Sequence, residues 1–254
     1  PPMDDSNELP LPIEPTPVPR TREDQRFTYE RRIIALKRRL VREASIAISM
    51  LDASVEALFK QDIDAARAVR REDDRIDAEE VAIEQECYEI LALHHLFARD
   101  FRAITFVLKV NSDIERVGDH ASSIAKVASK IAQKAPVAPQ WPTSLLELGQ
   151  RVPMMCHQLL RAVLDEDVAG AQALVASDEI IDQLDRKLFE EIQDFIRAEG
   201  NTDAALSTGM YMYRLGRELE RVGDLMTNIA EDIVYLATGT IVRHKEKRRL
   251  RTGA

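Results

Sequence analysis

Four pairs of carboxylates carry the spacing most suited to chemistry in this chain. They are Asp73 with Asp77, Glu115 with Asp119, Asp178 with Asp182, and Glu220 with Asp224. On a helix, positions i and i+4 lie about 40° apart, so each pair points the same way. Like charges at that spacing destabilise an isolated helix by about 0.2–0.5 kcal/mol per pair. Helix stability therefore does not account for them, and cation binding would. Clustered hard oxygens suit Mg²⁺, Mn²⁺, Ca²⁺ or iron and can bridge several ions. No paired thiols accompany them, which argues against a tetrahedral structural zinc site.

The acids also run into apolar seams. Asp73 and Glu80 fall in line with Val69, Ile76, Ile83, Cys87 and Ile90. Asp178 and Asp185 fall in line with Leu174, Ile181, Leu188, Ile192 and Phe195. Carboxylates at the edge of such a seam lose water and need a partner. If the helices carrying them are antiparallel neighbours, each half of the protein gathers four. Between the paired acids stand Gly118 and Gly223, each costing about 1 kcal/mol relative to alanine in a helix. Their missing side chains predict a close approach by a neighbouring element. The alternative is a solvated acidic face with Arg116 and Arg221 as local counter-charges. The halves differ beyond the pairs: Asn228 and Glu231 in the second stand where the first has Ser123 and Lys126, so an ammonium competes for the first site.

The elements that position these groups come from an internal repeat. A shift of 105 residues superposes Asp62 on Asp167, Ile76 on Ile181 and Asp77 on Asp182, and places ERVGD at 115–119 on ERVGD at 220–224. Two copies of one small unit follow, since the period is far too long for a solenoid repeat. Apolar residues recur in steps of three and four along Val107, Val110, Ile114, Val117, Ala121 and Ile124, and along the equivalent positions from Met212 onwards. This is a helical period, and the expected fold is all-α, two tandem three-helix bundles. Helices are expected at about 27–60, 62–98, 101–134, 143–165, 167–199 and 202–238. Caps are expected at Asp62, Asp100 and Asp167, and a turn at Gly200-Asn201-Thr202. Pro153 should kink the fourth helix. The domain reading is a disordered proline-rich leader over 1–26, a bundle over 27–134, a proline-rich linker over 135–142, a bundle over 143–238 and a basic tail over 239–254.

Composition narrows the function classes. The 254 residues are 45% hydrophobic, 31% charged and only 5% aromatic, with a formal charge of −9. That balance disfavours nucleic acid, which demands a basic surface. No apolar run is long enough for a membrane span, and seven of the eleven prolines precede residue 20 in an acidic stretch unlike a signal peptide. A cytoplasmic protein with Cys87 and Cys156 reduced and packed in the core is expected. His94-His95 reads as a helix end rather than a ligand pair, and Trp141 between two prolines as a linker anchor. Met210, Met212 and Met226 read as packing residues, and the basic run at 242–251 as a solvated helix end. Phosphate-loop, dinucleotide and zinc-protease motifs are missing, as is any glutamate followed three residues later by histidine.

Tandem bundles, the duplicated acidic pairs and the sequence ERVGD…NIAED together resemble the PhoU family over about residues 27–240. The resemblance rests on an E(D)xxxD motif standing here as Asp73–Asp77, Glu115–Asp119, Asp178–Asp182 and Glu220–Asp224. It implies a cytoplasmic regulator of phosphate uptake and phosphate-starvation signalling, an adaptor between a phosphate ABC transporter and a sensor histidine kinase. It further implies a homodimer, peripheral to the membrane through its partners, with metal ions (iron, zinc, manganese or magnesium) at the acidic motifs and no catalytic residues. Two other readings of the same acids stand beside it: a metal-dependent phosphohydrolase-type enzyme, and a plain helical scaffold. The proline-rich leader, Ser123, Lys126 and the basic tail depart from the family pattern.

Overall fold

The computed structural model describes residues 22–134, 138–165 and 167–238; the side chains of residues 22–28 and of Asp178 are outside that description. Most of the leader, part of the linker and the basic tail therefore also lie outside the described residues. Seven helices follow in order: α1 (Arg22–Lys60), α2 (Ile63–Leu93), α3 (Ala98–Lys134), α4 (Thr143–Leu164), α5 (Val168–Ala176), α6 (Asp178–Ala198) and α7 (Asp203–Thr238). The first three pack on one another, the last four pack on one another, and α3 against α7 and α1 against α4 join the halves. The architecture is all-α, and the second half repeats the first.

Local chemistry sets most of the boundaries. Asp62 Oδ1 accepts the Ala65 amide at 2.9 Å, and Asp167 Oδ1 accepts the Gly170 amide at 3.0 Å, so equivalent acids start α2 and α5. Gln61 at φ 54° turns the chain ahead of the first of these caps. Gly200 at φ 74° and Asn201 at φ 57° close α6, with the Asn201 amide returning to the Ile196 carbonyl. His94 ends α2 through its backbone amide on the Ile90 carbonyl.

Three boundaries differ from expectation. The helix expected over 167–199 is divided at Ser177, whose hydroxyl donates to the Leu174 carbonyl at 2.7 Å and so competes with the main-chain ladder. Asp100 is not a cap. The break before α3 covers residues 94–97, and Asp100 lies in the first turn, accepting from the Tyr29 hydroxyl at 3.5 Å. α1 begins at Arg22, inside the stretch read as leader. α4 starts at Thr143 as expected, with Pro153 inside it.

α2 and α3 run antiparallel. Asn111 on α3 reaches the Glu80 carbonyl on α2, while Asp73, earlier on α2, bonds Ser122, later on α3. The seam between halves is antiparallel too, with Lys109 paired to Asp232, His120 Nδ1 2.7 Å from Glu218, and Lys134 3.2 Å from Ser207. The acid-bearing helices α3 and α7 are thus also the ones that hold the halves together. Cys87 and Cys156 are buried free thiols, and Met212 and Met226 are buried while Met210 is exposed. Trp141 meets Phe59 edge-on at 5.5 Å, fastening the linker to α1.

Candidate metal centre

Asp182 on α6 and Glu220 and Asp224 on α7 converge in the second half. Each offers a carboxylate oxygen, and the three oxygens lie within 4.8 Å of one another. Opposed ligands around one ion sit at twice the metal–oxygen distance, about 4–5 Å for Mg²⁺ or Ca²⁺. Glu220 is half-buried and its Oε2 has no hydrogen-bond partner. Burial raises its carboxyl, Arg217 opposes that, and Asp224 and Asp185 add to the rise. An orphaned carboxylate oxygen within an all-oxygen set fits a hard cation. Asp178 opens the backbone of α6, and its side chain is not described.

The glycine puzzle resolves at this crossing. A Cβ on Gly223 would sit 3.2 Å from Ile181 Cγ2, and one on Gly118 would sit 3.0 Å from Ile76 Cδ1. In both halves the acid-bearing helix passes so close to an isoleucine of its neighbour that no side chain fits without displacement. That contact sets Glu220 beside Asp182, and Glu115 beside Asp77.

The first half assembles the equivalent acids, more loosely. Asp77 and Asp119 both act on Glu115, and Glu115 shares a hydrogen bond with Asp119. Burial, with these like charges and Glu80, raises Glu115 to about 7. Asp73 is raised by burial and by Asp119 and Asp77, against a hydrogen bond from Ser122. Lys126 is exposed and is not among the charges acting on either group. Among the described residues, only the Asp182, Glu220 and Asp224 set brings three ligand atoms within reach of one ion.

A PhoU domain model matches residues 40–128 and again 145–233, two stretches offset by the same 105 residues as the repeat. The chain belongs to the PhoU family. The phosphate-specific transport system accessory protein PhoU homolog of Deinococcus radiodurans is 34% identical over 191 residues, 75% of this chain and 87% of that one. Its counterpart in Aquifex aeolicus is 30% identical over 209 residues, 82% of this chain and 92% of that one. The crystal structure of PhoU from Pseudomonas aeruginosa superposes with a TM-score of 0.79 at 28% identity, covering 84% of this chain and all of that one. PhoU from Streptococcus pneumoniae gives 0.74 at 26% identity over 84% and 99%.

Within this PhoU fold, Arg217 is a site residue that sequence reasoning passed over. Its Nη1 lies 3.1 Å from Asp185 Oδ2 and 3.1 Å from Glu220 Oε1, a resident counter-charge beside the acids. The repeat could have exposed it, since the position equivalent to Arg217 in the first half is Ser112.

Proposed function

We propose that this chain regulates phosphate uptake and phosphate-starvation signalling, as an adaptor between a phosphate ABC transporter and a sensor histidine kinase, with metal ions at its acidic motifs. The observation that carries the metal element is the convergence of Asp182, Glu220 and Asp224 around a space the size of one ion. Relatives named as accessory proteins of the phosphate-specific transport system support the transporter side and a non-enzymatic role. Among the described residues no helix is long and apolar enough to cross a membrane, which suits a protein that reaches the membrane through partners. A homodimer in the cytoplasm belongs to the same reading.

Asp182, Glu220 and Asp224 would hold the ion in the second half, and Asp73, Asp77, Glu115 and Asp119 would contribute in the first. A bound cation supplies positive charge that lets the two crossing helices keep their carboxylates ionised at close range. The all-oxygen set favours magnesium, manganese or iron over zinc.

The test pairs metal analysis with a cellular readout. Wild-type protein is expected to carry metal, and a chain with Asp182→Asn, Glu220→Gln and Asp224→Asn to lose most of the second-half metal with helicity unchanged. Cells carrying that variant should express the phosphate-starvation response in phosphate-rich medium. Normal repression by a metal-depleted variant would remove the metal from the mechanism. Phosphate-ester turnover abolished by Asp224→Ala would replace the adaptor with an enzyme.

A further inference from the structure

The turn between α2 and α3 carries three exposed apolar side chains close together in sequence: Leu93 is 70% exposed, Phe97 61% and Phe101 52%. A single exposed leucine is ordinary on a folded protein, but a leucine and two phenylalanines gathered at one turn form a patch. The Phe101 amide bonds the Phe97 carbonyl at 2.9 Å, so the two rings leave the chain about one helical turn apart. Cationic side chains stand among them: Arg99 is exposed, and half-buried Arg102 has an Nε without a hydrogen-bond partner. The one acid of residues 93–102 is Asp100, which accepts from the Tyr29 hydroxyl.

The internal repeat supplies a comparison. Residues 93–102 read LHHLFARDFR, and their equivalents at 198–207 read AEGNTDAALS, with two acids, no aromatic residue and no cation. Thr202 and Leu206 stand in place of Phe97 and Phe101, and Ala204 and Ser207 in place of Arg99 and Arg102. That polar turn lies at the opposite end of the molecule, where Ser207 is 3.2 Å from Lys134 at the close of α3. The same helical connection is thus made without aromatic or basic residues, so folding does not account for the patch.

Two further segments converge on the patch. At the start of α1, Tyr29 meets His94 with ring centroids 5.5 Å apart, and Arg31 and Ile34 beyond it are exposed. α7 arrives from the other half, antiparallel to α3, with Lys109 paired to Asp232. Phe101 lies eight residues before Lys109, and Thr238 six residues after Asp232, about 12 Å and 9 Å along their helices. Both lead to the same end of the seam. The run at 242–251 holds six Lys/Arg against one Glu and begins four residues after Thr238. Fully extended chain of that length reaches about 14 Å, so six cations enter the chain close to the exposed phenylalanines.

We propose that this end of the molecule docks on an anionic lipid surface. Leu93, Phe97 and Phe101 enter the boundary between headgroups and acyl chains, while Arg99, Arg102 and the run at 242–251 face the headgroup phosphates. One small apolar anchor holds a protein on a membrane only marginally, and a basic cluster beside it makes the attachment stable. The chain as a whole carries −9, so an anionic surface repels most of it and selects the end where cations and apolar side chains coincide. The apolar side chains protrude from a convex turn, which fits a soft layer that closes around them. Among the described residues no helix is long and apolar enough to span a membrane, so the contact is made at the surface. It adds to any contact made through partners and does not rest on the regulatory role proposed above.

The test floats full-length protein with vesicles of phosphatidylglycerol mixed with phosphatidylcholine, and with vesicles of phosphatidylcholine alone. The wild type should float with the first and not with the second, and added salt should release it. Phe97→Ser with Phe101→Ser should weaken binding by at least about tenfold, as should Lys247→Gln, Arg248→Gln and Arg249→Gln together. Leu206→Ser, exposed at the equivalent place in the second half, should leave binding unchanged. Phe101→Trp keeps an apolar ring and reports independently, because its fluorescence should shift to the blue on anionic vesicles while Trp141 stays packed on Phe59. Absence of wild-type flotation with anionic vesicles, equal flotation with phosphatidylcholine alone, or unchanged flotation of the double serine variant overturns the proposal and leaves the patch to a protein partner.

Discussion

Ile76 packs against the bare face of Gly118, with its Cδ1 3.0 Å from where a Cβ would stand, and Ile181 repeats the contact at Gly223 through its Cγ2 at 3.2 Å. The two contacts are alike in distance and differ in the atom involved. Cδ1 is the free end of the side chain and can swing away. Cγ2 is fixed to a branched carbon with one preferred rotamer in a helix.

Alanine at the two glycines should accordingly give different results. Gly118→Ala gains about 1 kcal/mol of helix propensity, which roughly offsets the displacement of Ile76. Gly223→Ala must push α6 from α7 and should destabilise by about 1 kcal/mol net, after an overpacking cost of about 1–3 kcal/mol. Denaturant melts of the two variants measure the difference. Metal titration of Gly223→Ala should also show weaker binding, because Asp182 moves away from Glu220.

Arg217→Ser, which installs the first half's residue in the second, separates the roles of resident and external charge. Without metal the variant should lose about 1 kcal/mol, since the guanidinium is partly exposed and its pairing is screened. Its affinity for Mn²⁺ should rise, because the ion no longer competes with a cation already in place. Calorimetry on stripped protein reads both effects, and unchanged affinity would mean that Arg217 does not face the ion.

The seam between halves carries its own pH signature. Burial alone would raise Glu218, but hydrogen bonds and charge from His120 and Arg214 outweigh it and hold the carboxyl below its ordinary 4.5. A depressed carboxyl contributes stability that is complete above the unfolded value and is lost as pH falls through the folded one. The wild type should therefore shed stability below about pH 4.5 more steeply than Glu218→Gln. At neutral pH, Glu218→Ala should cost about 1–3 kcal/mol by leaving half-buried His120 without its hydrogen-bond partner. Urea melts across the acid range check both statements.

Both thiols should be silent in the folded protein. Burial, with Glu86 and Glu84 nearby, raises Cys87 to about 12, and burial raises Cys156 as well. Iodoacetamide at pH 8 should label neither until the chain is unfolded, after which both should react. Labelling read by mass spectrometry would reveal any opening of the bundles.

Features governed by local rules were legible in the sequence. Asp62 and Asp167 cap because an acid at that position accepts an amide three residues on. The 105-residue repeat predicted that Glu220 and Asp182 would meet as Glu115 and Asp77 do. The break at Ser177 was hidden, because the apolar seam from Leu174 to Ile181 runs straight through it and a periodic pattern does not register one hydroxyl turning on its own backbone. Asp100 looked like a cap because it precedes an apolar run, yet the turn before it is made by residues 94–97. The burial of Glu43, 1% exposed in the middle of α1, was hidden for another reason. A lone acid on an amphipathic helix reads as solvent-facing until the packing of α1 on α3 buries it. Comparing the halves at that position, glutamate against Leu148, would have been the available signal.

α7 bears Glu218 toward the other half and Glu220 toward α6, two residues apart on a helix of 36 residues. At 1.5 Å per residue the rod is about 54 Å long, and these two handles sit about 3 Å apart along it. With no loop between them to absorb motion, a displacement at Glu220 passes along one continuous rod to the contact that grips the opposite half.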